Sequence, residues 1–279
     1  MRVHHLTDDE LRGVQLIQLE MLEEVDRICR ACGIHYNIIA GTLLGAVRHK
    51  GYIPWDDDAD VAFLREEYEK FRDACVKELD QDRFYFQDHR NTPGYRWGYG
   101  KLRRKGTKFL REHQEHMPYE QGVFIDIFPL DAVSDSRWIR TWQNFHCLCI
   151  RKMMWAPVGK IASGKKWLKR WYGWLERFPE DKIYGHYDRL VKRWNQKDTK
   201  WVRILMFPTP NTEYGYLRKW YEESREIEFE GKTFLGIQDA DEYLSFKFGK
   251  YMELPPPEQR KVHPVTELGL GGPVRGENV

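Results

Sequence analysis

Four aspartates lie within five positions of one short segment, Asp56-Asp57-Asp58-Ala59-Asp60. If this segment is extended, Asp56, Asp58 and Asp60 point to one side of the chain and Asp57 points to the other. Carboxylates this close repel each other unless a positive charge lies between them. Carboxylate oxygens with room for phosphate ligands favour Mg²⁺ or Mn²⁺, so the segment predicts a metal site. Such a metal could be positioned between an attacking oxygen and a leaving oxygen. An acidic cluster alone is also typical of a solvated loop or a helix N-terminus.

A further acid interrupts the apolar run Val123-Phe124-Ile125-Asp126-Ile127-Phe128. A carboxylate between Ile125 and Ile127 is costly to bury unless it is paired or bound to a metal. Asp126 is therefore predicted to be the third acid of the site, and the alternative is that it points to solvent from a half-exposed strand. Asp131 lies beyond Pro129, and we expect it to be a cap or turn residue.

The pair Gly41-Thr42 lies between a predicted strand at 35–40 and a short predicted helix at 43–49. Glycine lets a phosphate approach the backbone, and a helix N-terminus offers N–H donors and a positive dipole. Thr42 could cap that helix and also contact phosphate. Taken alone this is a weak indication, because Gly-Thr is common where a strand leads into a helix.

The remaining hydrophobic periodicity predicts the elements that must position these residues. A first helix begins at the capping box Thr7-Asp8-Asp9-Glu10 and ends near Gly33. The predicted strands lie at 60–64, 84–87, 99–103, 123–128 (ended by Pro129) and 227–231. The other predicted helices lie at 65–79, 213–222 and 240–248, and an extended or loosely ordered tail follows them.

Residues 135–200 differ from the rest of the chain, because they are rich in tryptophan, basic and predicted to be helical. From Arg137 to Arg177 there are ten lysines or arginines and one acid, Glu176. This segment could be a helical subdomain with a solvated face, a contact to a membrane surface, or a site for a phosphorylated polymer acceptor. We predict three parts: a catalytic core at 1–134, a basic aromatic insertion at 135–210, and a C-terminal part at 211–279 that packs on the core.

The composition of the 279 residues is 41% hydrophobic and 32% charged, as in soluble globular proteins, and the net charge of +2 gives no indication of nucleic-acid binding. Residues 1–12 lack the apolar stretch of a signal peptide, and residues 36–47 are too few to span a membrane. We therefore expect a cytoplasmic protein, or one bound peripherally at the inner membrane surface. The five cysteines are expected to be free thiols, including those of Cys29-x-x-Cys32.

Longer motifs surround the acids. They are the run from Gly41 to Asp60 with Arg48-His49-Lys50-Gly51 and Pro54-Trp55-Asp56, the run from Phe124 to Asp131, Phe229-Glu230-Gly231, and residues 248–256. In these segments the chain resembles the LicD family of phosphocholine transferases, which are distantly related to fukutin-type proteins. The resemblance implies an α+β fold, with a nucleotidyltransferase-like mixed β-sheet core, flanking helices and a helical, Trp-rich basic subdomain. Lys250 departs from the pattern, since similar sequences often have an acid there.

The resemblance also implies roles for individual residues. Gly41 and Thr42 would form the phosphate turn, and Asp58, Asp60 and Asp126 would be the catalytic acids that hold Mg²⁺ or Mn²⁺. The donor would be CDP-choline or a related CDP-alcohol. The acceptor would be a sugar hydroxyl of a cell-surface glycan such as a teichoic acid or lipopolysaccharide, or of its lipid-linked precursor. The hydroxyl would attack the phosphorus that bears the choline, and CMP would leave.

Basic and aromatic side chains near the acids are expected to bind the donor. The candidates to balance the diphosphate are Arg48, Lys50, Lys101 and Arg103. Solvated surface charge is an equal alternative for each of them. A choline headgroup calls for an aromatic cage, and its candidates are Trp55, ranked first, and Tyr52, Trp97 and Tyr99.

Two rival functions remain at this point. A related enzyme could transfer glycerol phosphate, ribitol phosphate or a nucleotide monophosphate, and hydrogen-bonding groups in place of an aromatic cage would indicate a polyol. An inactive glycan-binding scaffold is the rival from a different class. That hypothesis predicts lost carboxylates, whereas Asp58, Asp60 and Asp126 are all present.

Overall fold

A computed structural model describes residues 3–260 and 262–271 of the chain. Its strands are β1 (Asn37–Ile38), β2 (Asp60–Leu64), β3 (Phe84–Gln87), β4 (Gly100–Arg104), β5 (Lys108–Arg111), β6 (Phe124–Val133), β7 (Trp201–Arg203), β8 (Tyr216–Leu217), β9 (Ser224–Phe229), β10 (Lys232–Ile237) and β11 (Val265–Gly269). The main sheet has the order β3-β4-β6-β2-β1-β10-β9, and β7 and β8 extend it from β6. A second, two-stranded sheet pairs β5 with β11.

Helices flank this mixed sheet. They are α1 (Asp8–Cys32), α2 (Ala40–His49), α3 (Arg65–Glu78), α4 (Arg137–Met154), α5 (Ala156–Ala162), α6 (Lys166–Leu175), α7 (Glu180–Trp194), α8 (Lys219–Glu222) and α9 (Ala240–Phe248). The predicted α+β class, with a mixed sheet and flanking helices, is confirmed.

The ends of α1 lie where local sequence signals place them. Thr7 Oγ1 accepts a hydrogen bond from the backbone N–H of Glu10 at 3.2 Å, and the Glu10 carboxylate accepts one from the Thr7 N–H at 2.8 Å. Gly33 ends the helix with a φ of +64°, which favours glycine. Both signals involve residues within one helical turn, so they are readable without knowledge of the fold.

The register of β6 brings distant residues together. β2 runs parallel to β6 with Asp60 opposite Asp126, and β4 runs antiparallel with Lys101 opposite the same Asp126. Since adjacent strands lie about 4.8 Å apart, the three residues form one row across the sheet. This row is the structural basis of the site described below.

The prediction that Pro129 ends its strand is wrong, because β6 continues to Val133. β6 pairs with β4 as far as Ile127 and with β7 from Asp131, and Pro129 lies between these two stretches. A residue without a backbone N–H is tolerated there.

Asp131 is consequently a buried strand residue rather than a cap. Its two carboxylate oxygens accept hydrogen bonds from Nε and Nη2 of Arg65, each at 2.7 Å, and Asn195 donates to the same carboxylate at 2.7 Å. A bidentate arginine satisfies the carboxylate inside the protein. The partner is 66 positions away in the sequence, which a local pattern does not reveal.

Further element predictions agree with the structure only in part. α2 begins at Ala40, so Gly41 and Thr42 lie in its first turn and not before it. The predicted helix at 213–222 is instead a turn followed by β8 and α8, because pairing with β7 overrides the helical pattern. In the described part of the C-terminal tail the chain is extended, which was one of the two predicted alternatives, and it forms β11 with Val265 buried and pairs with β5. The Gly-rich end beyond residue 271 lies outside the described residues.

The basic segment forms α4 to α7, as predicted. The inner face of α4 packs Cys147, Ile150 and Met154 with residues of α7 such as Tyr187. The division of the chain into three parts at 134 and 210 stays a prediction. Within the described residues no helix is both long enough and apolar enough to cross a membrane.

We expect Asp131→Ala to lower the free energy of unfolding by about 3–5 kcal/mol, because it removes the fully buried partner of Arg65 and leaves this guanidinium only Glu69 as an acid partner, 3.0 Å away and 38% exposed. Urea denaturation at neutral pH measures this change. The matched control is Asp73→Ala, since the Asp73 side chain is 77% exposed and its ion pair with Arg72 is worth less than about 1 kcal/mol. Equal losses in the two variants would contradict a structural role for the Arg65–Asp131 pair.

Candidate active site

The acidic segment joins α2 to β2, and α1 supports it from behind. Gln15 donates a hydrogen bond from Nε2 to the carbonyl oxygen of Asp56 at 3.0 Å, and Gln18 donates to that of Asp57 at 2.9 Å. Both glutamines are buried. The two glutamines satisfy backbone carbonyl groups of the loop that apolar side chains would leave without these donors. These hydrogen bonds from α1 therefore fix the path of the loop.

The Gly41-Thr42 pair positions two of the acids from the first turn of α2. Thr42 is buried, and its Oγ1 accepts a hydrogen bond from the backbone N–H of Asp60 at 2.8 Å. A Cβ atom added at Gly41 would lie 2.6 Å from Oδ2 of Asp56, so glycine allows this carboxylate to approach the helix. Phosphate contact by Gly41 and Thr42 stays a prediction.

The carboxylates of Asp56, Asp58 and Asp60 share one region and perturb each other. Burial, and then repulsion by Asp58, raise the pKa of Asp56 to about 8. Burial also raises the pKa of Asp58, and burial with repulsion by Asp58 and Asp126 raises the pKa of Asp60 well above its usual value. Such a concentration of negative charge, held in place by the backbone, fits a divalent cation with oxygen ligands.

Asp126 lies beside Asp60, and Lys101 engages its carboxylate. The Lys101 ammonium donates a hydrogen bond to Oδ1 of Asp126 and lies 3.4 Å from the centroid of the Phe124 ring. Burial lowers the pKa of Lys101 to about 7, although Asp126 has the opposite effect. Lys101 therefore compensates the charge of Asp126 more directly than it compensates the charge of the acidic loop.

His263 is a site residue that the sequence did not indicate. Its Nδ1 lies 2.8 Å from Oδ1 of Asp57 and 4.0 Å from Oδ2 of Asp58. Each of these three residues has a potential metal-ligand atom within 4.8 Å of the other two, whereas Asp58, Asp60 and Asp126 are not grouped so closely. Asp58 thus belongs to two candidate donor sets, and the predicted set stays a prediction. His263 lies 206 positions from Asp57 in a segment expected to be loose, so no local signal pointed to it.

Arg48, Lys50 and Trp55 lie from the last turn of α2 up to the acidic loop in the sequence, and the structure places them in different settings. Arg48 donates from Nη1 to the carbonyl oxygen of Tyr251 at 2.7 Å, so it holds the C-terminal segment. Lys50 is exposed and ends α2 with a φ of +61°. The guanidinium carbon of Arg260 lies 4.3 Å from the centroid of the Trp55 ring. A cation therefore already lies on the ring that was the first candidate for a choline cage.

A cavity of about 350 Å³ opens beyond the Lys101–Asp126 pair, between β4, β5 and α4. The basic residues that line it are Arg96, Lys101, Arg103, Arg111, Arg151 and Lys152. Arg103, one of the predicted donor-binding residues, is buried there and donates to Gln87 Oε1 at 2.6 Å and to the Gly122 carbonyl oxygen at 2.8 Å. Sequence reasoning missed Arg111 and Arg151, because only the packing of α4 over the sheet brings them together.

The mixed sheet with Asp60 beside Asp126, preceded by an acidic loop, defines a nucleotidyltransferase-like core. The model of the LicD/FKTN/FKRP nucleotidyltransferase domain matches residues 33–170, which contain α2, the acidic loop, β2 and β6. The chain belongs to the LicD family, and it is a phosphotransferase.

One relative extends this similarity beyond the matched domain, and two others match shorter segments. The chain is 27% identical over 264 residues to the lipopolysaccharide cholinephosphotransferase LicD of Haemophilus influenzae. The aligned region covers 92% of this chain and 97% of that protein. An uncharacterized protein of Rickettsia typhi is 41% identical over 58 residues, 21% of this chain and 18% of its own length. An uncharacterized protein of Rickettsia prowazekii is 42% identical over 68 residues, 22% of this chain and 26% of its own length.

We expect Asp60→Asn to raise the free energy of unfolding in the presence of a chelator by roughly 0.5–2 kcal/mol, because it relieves repulsion among buried carboxylates. In wild type, Mg²⁺ at 100 times its Kd should add about 2.7 kcal/mol, and the variant should lose most of this gain. Thermal and urea unfolding with and without Mg²⁺ or Mn²⁺ measure both effects. The control is Asp82→Asn, an exposed acid in the turn before β3. A variant that is still stabilised by the metal like wild type would exclude Asp60 from the metal site.

Proposed function

We propose that this phosphotransferase moves phosphocholine from CDP-choline to a sugar hydroxyl of a cell-surface glycan or its precursor, and that CMP is released. The observation that carries the proposal is the row of Asp60, Asp126 and Lys101 across the sheet, next to the half-buried acids Asp56 and Asp58 of the loop. Similarity along 97% of a cholinephosphotransferase that acts on lipopolysaccharide supports the choice of headgroup and acceptor class.

In this proposal Asp58 and Asp60 hold Mg²⁺ or Mn²⁺, with Asp126 as the third acid. The cation would supply positive charge to the donor diphosphate as the bond to CMP breaks. Thr42 keeps Asp60 in position through the hydrogen bond to its backbone N–H. Lys101 holds one oxygen of Asp126, which orients this carboxylate for contact with the reacting groups.

The contact between Arg260 and Trp55 supports Trp55 as the binding site for the choline headgroup. A guanidinium at 4.3 Å shows that the face of this indole is accessible to a cation. Of the other candidates, Trp97 and Tyr99 line a cavity with six basic side chains, where a quaternary ammonium would be repelled. The third candidate, Tyr52, is buried with its ring 4.8 Å from that of Phe229. Choline would therefore replace Arg260 on Trp55. Glycerol phosphate or ribitol phosphate is the alternative transferred group. A polyol would gain nothing from the indole face, so this alternative predicts that Trp55 has no role in donor binding.

We expect wild type to release CMP from CDP-choline with Mg²⁺ when a glycan acceptor is present. Asp60→Ala should lower the rate of CMP release by 100-fold or more, because it removes a proposed metal ligand at the reacting phosphate. Trp55→Leu should weaken binding of CDP-choline but not of CDP-glycerol. Chromatography of CMP and the donor gives both results. The control is Phe178→Leu, an aromatic side chain that is 38% exposed beyond the end of α6. Equal activity with all CDP-alcohols in wild type would contradict the choline assignment.

We also propose that α4 and α6 contact an anionic membrane surface, where a lipid-linked acceptor would be found. On α4, Trp138 is 88% exposed and Trp142 is 69% exposed, and Phe145 continues the same helical face. On α6, Trp167, Trp171 and Trp174 repeat this spacing. Exposed aromatic side chains on basic helices are typical of segments that lie in the membrane interface.

We expect wild type to sediment with vesicles that contain an anionic phospholipid, less with neutral vesicles, and less in high salt. The double change Trp138→Ser and Trp142→Ser should weaken this binding by about two to three orders of magnitude, since each buried indole contributes roughly 2 kcal/mol. Val76→Ser, which alters a side chain that is 68% exposed on α3, is the control. Unchanged sedimentation of the double variant would exclude α4 from the membrane contact.

A further inference from the structure

We propose that the cavity between β4, β5 and α4 is a subsite for a phosphate group of a substrate, separate from the acidic loop. This inference deepens the proposed function, because it concerns substrate binding next to the same site. Two sources of the phosphate are consistent with its chemistry: the nucleotide half of the donor, or a phosphorylated acceptor.

The first argument is the hydrogen-bond state of two arginines. Nε and Nη2 of Arg111 and Nη1 of Arg151 are buried without a hydrogen-bond partner in the described structure. Buried guanidinium N–H groups are costly to leave unpaired, and native proteins satisfy nearly all of them. Both side chains line the cavity, one from β5 and the other from α4. An acceptor with several oxygens inside the cavity would satisfy both.

The second argument is the charge of the cavity wall. Six basic residues line the cavity, and none of the described residues that line it is an aspartate or glutamate. Carboxylates outside this wall pair with two of the six: Asp126 with Lys101, and Glu180 with Arg96 at 3.6 Å. Arg111 has no ion pair of this kind with a described residue, although its charge also acts on Asp58 of the acidic loop. Arg103 and Lys152 bond neutral groups instead. The excess of positive charge requires an anion, and two arginines facing one space suit the several oxygens of a phosphate.

The third argument is size and lining. A cavity of about 350 Å³ is within the range of small-molecule sites, so it can hold more than an inorganic ion. Trp97 and Trp155, with ring centroids 5.3 Å apart, contribute apolar surface that could pack on a base or a sugar. Lys101 belongs both to this wall and to the ion pair with Asp126, so a ligand here would lie next to the acids.

The test is binding in the presence of EDTA, so that neither turnover nor the metal contributes. The probes are inorganic phosphate, CMP and glucose 6-phosphate, measured by calorimetry on the full chain. We expect Arg151→Gln and Arg111→Gln each to weaken binding about 10- to 100-fold. Arg170→Gln, which alters an exposed arginine on α6, should bind like wild type. Tighter binding of CMP than of glucose 6-phosphate would assign the phosphate to the donor, and the reverse order would assign it to the acceptor.

If these arginines only stabilised the fold, Arg151→Gln would lower the melting temperature of the ligand-free protein. The proposal predicts otherwise. Because the unpaired guanidinium groups destabilise the empty cavity, Arg151→Gln should leave the melting temperature without ligand unchanged or raise it. No binding of any probe to wild type, or equal binding by wild type and both cavity variants, would overturn the inference. CMP release from CDP-choline by wild type is measured separately, so such a result would leave the proposed transfer reaction intact.

Discussion

The parallel register of β2 against β6 sets the Asp60 carboxylate beside that of Asp126, and the preceding loop adds Asp56 and Asp58 to the same region. Like charges at this density would separate in a free chain. The fold prevents this through backbone contacts, since Thr42 holds the N–H of Asp60 and α1 holds the carbonyl groups of the loop. The protein thereby keeps a negative site at a cost in stability, as functional sites often do.

β6 shows how the partner of a carboxylate decides its role. At one end of the strand, Asp126 is paired with Lys101, and burial lowers the pKa of this lysine. The ammonium contacts one carboxylate oxygen of Asp126 and leaves the other available for other contacts. At the other end, Asp131 is enclosed by Arg65 and Asn195 and has no access to solvent. The first arrangement suits chemistry, and the second joins the sheet to α3 and α7.

Negative and positive regions meet at the Lys101–Asp126 pair. The acidic loop lies on one side, and the basic cavity under α4 lies on the other. The cavity exists because α4 packs its inner face towards the sheet while its outer face stays exposed with Trp138 and Trp142. One helix therefore connects the proposed phosphate-binding wall with a candidate membrane surface, so an acceptor bound at the membrane would be close to the site.

The sequence by itself determined the features that depend on neighbouring residues. The capping box at Thr7 and the acidic strand at Asp60 lie where predicted, and the need of Asp126 for a partner follows from its isoleucine neighbours. Only the tertiary structure decided which partner each charge has, as the contact of Asp57 with His263 across 206 positions shows. Strand register and helix packing set these contacts, and both depend on the free energy of the whole core rather than on any local pattern.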